Sequence, residues 1–279
     1  MTKIRILAAL VMAPAVIGAV LLLPTGWLML LSALVFLAAL WEWLKLSDIE
    51  DALARSILLA CNLALMVALV WGSRSQHPGA LPLFQLTVVL GVVWWLLALL
   101  WLRHYDFASR HDGNARVFKL AAGTAAVLPA WCALAVIHFS QPNGHRWLLL
   151  VWAADSGAYF TGRRFGGQWF GGRKLAPRIS PNKTLEGVAG GVGLAMLVAI
   201  IGALVIGAKA NQLPAVALVA AVTVVFSVAG DLFESLLKRH VGAKDSGTLI
   251  PGHGGVLDRV DSVLAALPVF ALGKIWLGF

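Results

Sequence analysis

The chain has 279 residues, of which 60% are hydrophobic and 13% charged, with a formal net charge of +9. Soluble domains carry about 25% charged residues, so this composition excludes an ordinary water-soluble fold and points to a membrane protein. The positive charge does not indicate nucleic-acid binding, because the basic residues lie between apolar runs rather than on one soluble face.

Nine candidate spans follow one another at about 6–23, 27–43, 56–72, 82–102, 120–138, 147–161, 188–208, 213–232 and 259–277. Lys3 and Arg5 ahead of the first run resemble the start of a signal peptide. The second run begins after only Pro24-Thr25-Gly26, with no cleavage site between them, so the first is read as an uncleaved span. Pro14 and Gly18 are tolerated within it, as in other membrane helices. The sixth run is short and contains Asp155, and the ninth starts inside a charged motif. Such spans can be tilted or broken where protein or a water-filled cavity satisfies the backbone.

The expected fold is an all-α polytopic membrane protein of about nine transmembrane helices. It forms a single integral-membrane unit over 1–279, with N-terminal spans in 1–119, middle spans and a polar connection in 120–187, and C-terminal spans in 188–279. Placing the N-terminus in the cytoplasm puts every Lys and Arg except Arg74, Arg146, Lys209 and Lys274 on the cytoplasmic side, the expected positive-inside bias. The three longest polar connections, about 103–119, 162–187 and 233–258, then face the cytoplasm. Cys61 and Cys132 lie inside apolar runs without metal-ligand spacing and read as free thiols. Trp27, Trp41, Trp43, Trp101, Trp147 and Trp276 fall near span ends, where interface anchoring is expected.

Chemistry concentrates in the stretch DLFESLLKRHVGAKDSGTLIPGHGGVLDRVD, from Asp231 to Asp261. A polar cluster between two long apolar runs marks a functional site, because lipid makes uncompensated charge costly. Asp231 ends one apolar run and Asp258 opens the next, and their carboxylates suit a magnesium ion held jointly with substrate phosphates. Asp261 stands three residues after Asp258, on a similar helix face, which allows a second ion. The competing account makes these aspartates, and Asp245, helix caps or ion-pair partners of Lys238, Arg239 and Arg259. Gly252-His253-Gly254-Gly255 is too flexible for a helix interior, and Gly254 and Gly255 suit a backbone cradle for phosphate before a helix start. His253 would bind phosphate, orient a ligand, transfer a proton or serve as a turn residue. Lys238, Arg239, Lys244 and Arg259 would neutralise phosphates or anchor the topology.

A second cluster begins at Asp155 and leads to Ser180-Pro181-Asn182-Lys183-Thr184-Leu185-Glu186-Gly187. Asp155 would orient a base or sugar, bind an ion or pair with another helix, and Lys183 is a candidate contact for phosphate or a lipid headgroup. Ser180 or Thr184 would cap the helix that follows, with Glu186 in its first turn. Neither a P-loop nor a dinucleotide-binding glycine fingerprint is present. The Arg103–Asp106 and Arg110–Asp112 patches read as a solvated interfacial segment.

The segment Ser235–Asp261 resembles the signature of phosphatidate cytidylyltransferases, also called CDP-diacylglycerol synthases. It carries Ser235, Lys238-Arg239, Lys244-Asp245, His253-Gly254-Gly255, Asp258-Arg259 and Asp261 in that family's pattern. The resemblance implies that CTP and phosphatidate yield CDP-diacylglycerol and pyrophosphate in the inner membrane of a bacterium. It also implies a magnesium requirement, with potassium at a second ion position in some members, and a homodimer among membrane lipids. On this sequence Asp231 and Asp258 would lead the metal site, and the signature's basic residues would surround phosphate. The competing readings are cytidylyl transfer to another lipid phosphate and, from a different class, a transporter. Transport is disfavoured because the polar residues gather in two clusters rather than in matched broken helices of two repeats.

Overall fold

The computed structural model describes residues 2–74, 82–140, 146–148, 173–250, 252 and 254–279. Among these residues the long helices are α1 (Thr2–Leu22), α2 (Thr25–Leu46), α3 (Ala52–Arg74), α4 (Pro82–Arg103), α5 (Gly113–Phe139), α6 (Leu185–Val205), α7 (Leu213–His240) and α8 (Leu257–Leu277). Seven of them, α2 to α8, are long and apolar enough to cross a membrane. In α1 the apolar stretch is the shorter Leu10–Leu22. Most of the expected sixth span, with Asp155 in it, lies outside the described residues.

Polar residues at the helix starts satisfy otherwise orphaned backbone donors. Asp112 accepts from Ala115 N at 2.8 Å before α5, and Thr184 accepts from Gly187 N at 3.1 Å before α6. Of the two expected caps for α6, Thr184 therefore takes the role, with Glu186 in the first turn.

The all-helical expectation needs one amendment. Strands β1 (Lys174–Ala176) and β2 (Ser180–Thr184) form an antiparallel hairpin directly before α6. Its strands lack alternating apolar residues, so the sequence carries no strand period to detect. The hairpin is instead fastened from outside, as Arg239 Nε on α7 donates to Ile179 O at 3.3 Å.

Helix α8 is the hub, packing along α7 and touching α5, α4 and α2 as well. Within lipid, burying apolar surface adds little to helix association, so close approach and hydrogen bonds matter more. Two glycines permit that approach. A Cβ on Gly273 would run into Val219, and a Cβ on Gly230 would run into the backbone carbonyl of Asp261.

The tryptophans divide differently from the expectation. Trp27 and Trp276 are exposed, as anchors would be, but Trp43, Trp101 and Trp147 are buried in the core. For Trp43 and Trp101 the indole N–H finds an acceptor within the protein, and Trp147 packs against Phe270 and Phe279. Trp43 Nε1 donates to Lys119 O at 2.8 Å and Trp101 Nε1 to Phe107 O at 3.0 Å. Trp95 and Trp131, in mid-span, do the same toward Leu264 O and Met29 O. Cys61 and Cys132 are free thiols.

Candidate active site

Helix periodicity assembles the first half of the site. On α7, Asp231, Glu234, Ser235 and Lys238 recur at steps of three, one and three, which places them on one face. On α8, Asp258 and Asp261 stand one turn apart. The absence of a side chain at Gly230 lets α8 approach at Asp261, so the two polar faces meet.

Asp231, Glu234 and Asp261 each place a carboxylate oxygen within 4.8 Å of the others. Glu234 is almost completely buried. Its Oε2 accepts from Lys238 Nζ at 2.5 Å, while its Oε1 is buried with no hydrogen-bond partner among the described residues. Lys183, carried on β2, reaches across to Asp231 Oδ2 at 2.5 Å. Asp261 Oδ1 accepts from Ser262 N at 2.7 Å. Three clustered carboxylates, one with an unused buried oxygen, form a hard donor set that fits a divalent metal ion.

Asp258 occupies the neighbouring position, joined to the cluster through a shared lysine. Its Oδ1 accepts from Lys238 Nζ at 2.8 Å. Its Oδ2 accepts from Ser246 N at 3.0 Å, Ser246 Oγ at 2.9 Å and Gly255 N at 2.8 Å. Lys238 thus lies between Glu234 and Asp258 and offsets part of their combined charge, in a place where an unpaired carboxylate would be expensive.

The glycine turn is shaped around carboxylates. A Cβ on Gly254, whose φ is +83°, would meet Asp258 Oδ2, and one on Gly255 would meet Glu42 Oε2 and Ser246 Oγ. The Gly255 amide, expected to cradle phosphate, donates to Asp258. Lys244 and Asp245 are exposed in the loop after α7, and Arg239 and Arg259 are exposed at the facing helix ends. His253 and Asp155 lie outside the described residues.

Sequence reasoning missed Glu42, Glu234 and Ser246. Glu234 stands between Phe233 and Ser235 with no motif of its own, although its i, i+3 spacing from Asp231 puts it on the same face. Glu42 sits between Trp41 and Trp43 at the end of an apolar run, a signal of the same kind as the one at Asp155. It is buried, and its Oε2 accepts from Ser246 Oγ at 2.9 Å and from Leu257 N at 2.8 Å. Ser246 carries no distinguishing pattern.

Fold and site together define a polytopic helical membrane protein with an acidic, lysine-bridged site between two of its helices. The chain belongs to the cytidylyltransferase family, whose sequence model matches residues 3–275. A protein of Pseudomonas aeruginosa named phosphatidate cytidylyltransferase is 40% identical over 274 residues, covering 97% of this chain and 96% of that protein. One of the same name from Haemophilus influenzae is 35% identical over 289 residues, covering 97% and 98%. Another from Bacillus subtilis is 48% identical over 124 residues, covering 43% and 42%.

Proposed function

We propose that this protein is a phosphatidate cytidylyltransferase, converting CTP and phosphatidate to CDP-diacylglycerol and pyrophosphate. The observation that carries the proposal is the convergence of Asp231, Glu234, Lys238, Asp258 and Asp261 on one site between α7 and α8, with Lys183 reaching in from the hairpin. The names of relatives aligned over nearly the whole chain support it.

In the reaction, a phosphatidate phosphate oxygen attacks the α-phosphorus of CTP. A new phosphorus–oxygen bond forms there, the α–β bridging bond breaks, and pyrophosphate leaves with its electron pair. Phosphatidate is already largely ionised at neutral pH, so no strong protein base is required. Both reactants are anionic, and the residues must reduce their repulsion. Lys183 and Lys238 supply ammonium groups that exchange a carboxylate partner for a phosphate oxygen. Arg239, Lys244 and Arg259 surround the same end of the helix pair and draw in the nucleotide. Asp231, with Glu234 and Asp261 beside it, would hold magnesium, with Asp258 on the far side of Lys238 as the next carboxylate and potassium as a candidate second ion. When bound, the divalent ion screens the phosphates and stabilises charge in the transfer.

The wider proposal is a single nine-span unit in a bacterial inner membrane, with N-terminus and active site cytoplasmic, functioning as a homodimer. The charge bias of the loops and the apolar helices support the membrane placement and orientation, and the homodimer rests on the family resemblance alone. Asp155 and His253 are candidate substrate contacts within it, as is Gly254, whereas Gly255 would reach phosphate only by giving up its hydrogen bond to Asp258.

The test uses purified protein in phosphatidate-containing mixed micelles with magnesium and CTP labelled at the α-phosphate. Magnesium-dependent passage of label into an extractable liponucleotide, with release of pyrophosphate, is the expected result. A folded sample that transfers label only to an isoprenoid phosphate would move the activity to the neighbouring substrate class.

A further inference from the structure

Glu42 lies in α2, 215 positions before Leu257, yet its carboxylate closes the end of α8. Val256 at the N-cap position of α8 makes no side-chain hydrogen bond, and of the first amides Asp258 N is taken by Ser246 Oγ at 3.3 Å. Glu42 Oε2 accepts the Leu257 N–H at 2.8 Å and so serves as a cap supplied from another helix. Its negative charge also faces the positive end of the α8 dipole. Only 4% of the residue is exposed, a costly position for a carboxylate unless it is needed there.

The second partner of Glu42 links it to the chemistry. Ser246 Oγ lies 2.9 Å from Glu42 Oε2 and 2.9 Å from Asp258 Oδ2. A hydroxyl has one proton, so the two carboxylates share it. Gly247 and Gly255 are fitted around this side chain, because a Cβ on either would strike the Glu42 carboxylate. A continuous chain of contacts therefore runs from Glu42 through Ser246 to Asp258, then through Lys238 to Glu234.

We propose that Glu42 is a positioning residue for cytidylyl transfer, fixing Ser246, Gly247, Gly255 and the start of α8 so that Asp258 and Lys238 are held in register with the acidic cluster. The kinetic part of this inference rests on the function proposed above, and the structural part stands without it.

The experiment compares full-length wild type with Glu42→Ala, Glu42→Gln and Ser246→Ala in mixed micelles, reading hydrogen exchange and steady-state kinetics. In Glu42→Ala, exchange at the amides of Ser246, Gly255 and Leu257 should rise by about tenfold or more while α5 stays protected. Its kcat should fall by about 100-fold with KM for CTP little changed, as for a displaced catalytic group. Glu42→Gln keeps an acceptor oxygen and should recover most of both, whereas Ser246→Ala should lower kcat with the same small effect on KM. Wild-type exchange at these amides in Glu42→Ala, or wild-type kcat in its folded fraction, would overturn the proposal. If Glu42→Ala does not fold, a wild-type kcat in Ser246→Ala overturns it instead. A wild-type sample without phosphatidate-dependent turnover would remove the proposed function, and exchange would still decide whether Glu42 positions the loop.

Discussion

Lys238 on α7 donates to Asp258 on α8 at 2.8 Å, and the same ammonium lies 2.5 Å from Glu234 Oε2. One lysine thus holds two carboxylates that no other cation among the described residues contacts. Its removal would leave two negative groups facing each other in a buried space.

The expected outcome of Lys238→Met is a loss of about 3 kcal/mol in stability, the scale for breaking a buried pair from one side. Thermal unfolding in detergent checks it. Adding Glu234→Gln should restore part of that stability without restoring turnover. A double variant as unstable as the single one would show that Lys238 stabilises by packing.

Asp231→Asn should cut magnesium-dependent turnover by about two orders of magnitude or more and raise the magnesium concentration needed for half-maximal rate. The residue is only partly buried, so the fold should survive. Rates measured across a magnesium series decide it, and unchanged activity at every concentration would remove Asp231 from the metal site.

Lys183→Ala removes the ammonium that the hairpin presents to Asp231. Since the pair is partly open to solvent, stability should change by less than about 1 kcal/mol. The KM for CTP should rise by about tenfold, the cost of one charge-assisted contact. Normal kinetics would leave Lys183 a fastener of the hairpin and nothing more.

Gly230→Val places carbon where the Asp261 carbonyl now sits. Overpacking of this kind costs about 1–3 kcal/mol, and here it would also part Asp231 from Asp261. The expected variant inserts into membranes, unfolds at lower temperature and needs more magnesium. A loss of stability without a change in magnesium dependence would show that the cluster tolerates the wider spacing.

Much of this was legible because lipid punishes unpaired charge, so the polar stretch from Asp231 to Asp261 stood out against its apolar flanks. Residue type narrowed the cap of α6 to Ser180 or Thr184, and the structure selects Thr184; the flanking aspartates marked a shared cavity for Asp231 and Asp258 as an expectation. What stayed hidden depends on distance in space. Glu42 meets Leu257 across 215 positions, and no local period announces that contact. The hairpin was missed because Lys174–Thr184 has neither alternation nor β-branched residues in series. Trp43 looked like an interface anchor because sequence cannot tell an indole facing lipid from one that donates to Lys119 O.

Helix α8 is the hub of the bundle and the last of the site's elements to leave the ribosome. Until it arrives, Glu42 has no Leu257 amide to accept from, and Lys238 has only Glu234. The nascent protein must therefore hold acidic groups in or near the bilayer while synthesis continues. A chain stopped before residue 257 would keep most of its apolar helices, with Lys183 beside Asp231 and Lys238 beside Glu234, yet would carry Glu42 without the Leu257 amide it accepts from. The last helix therefore completes both the hydrogen bonding of Glu42 and the acidic site, so neither exists before the chain is nearly finished.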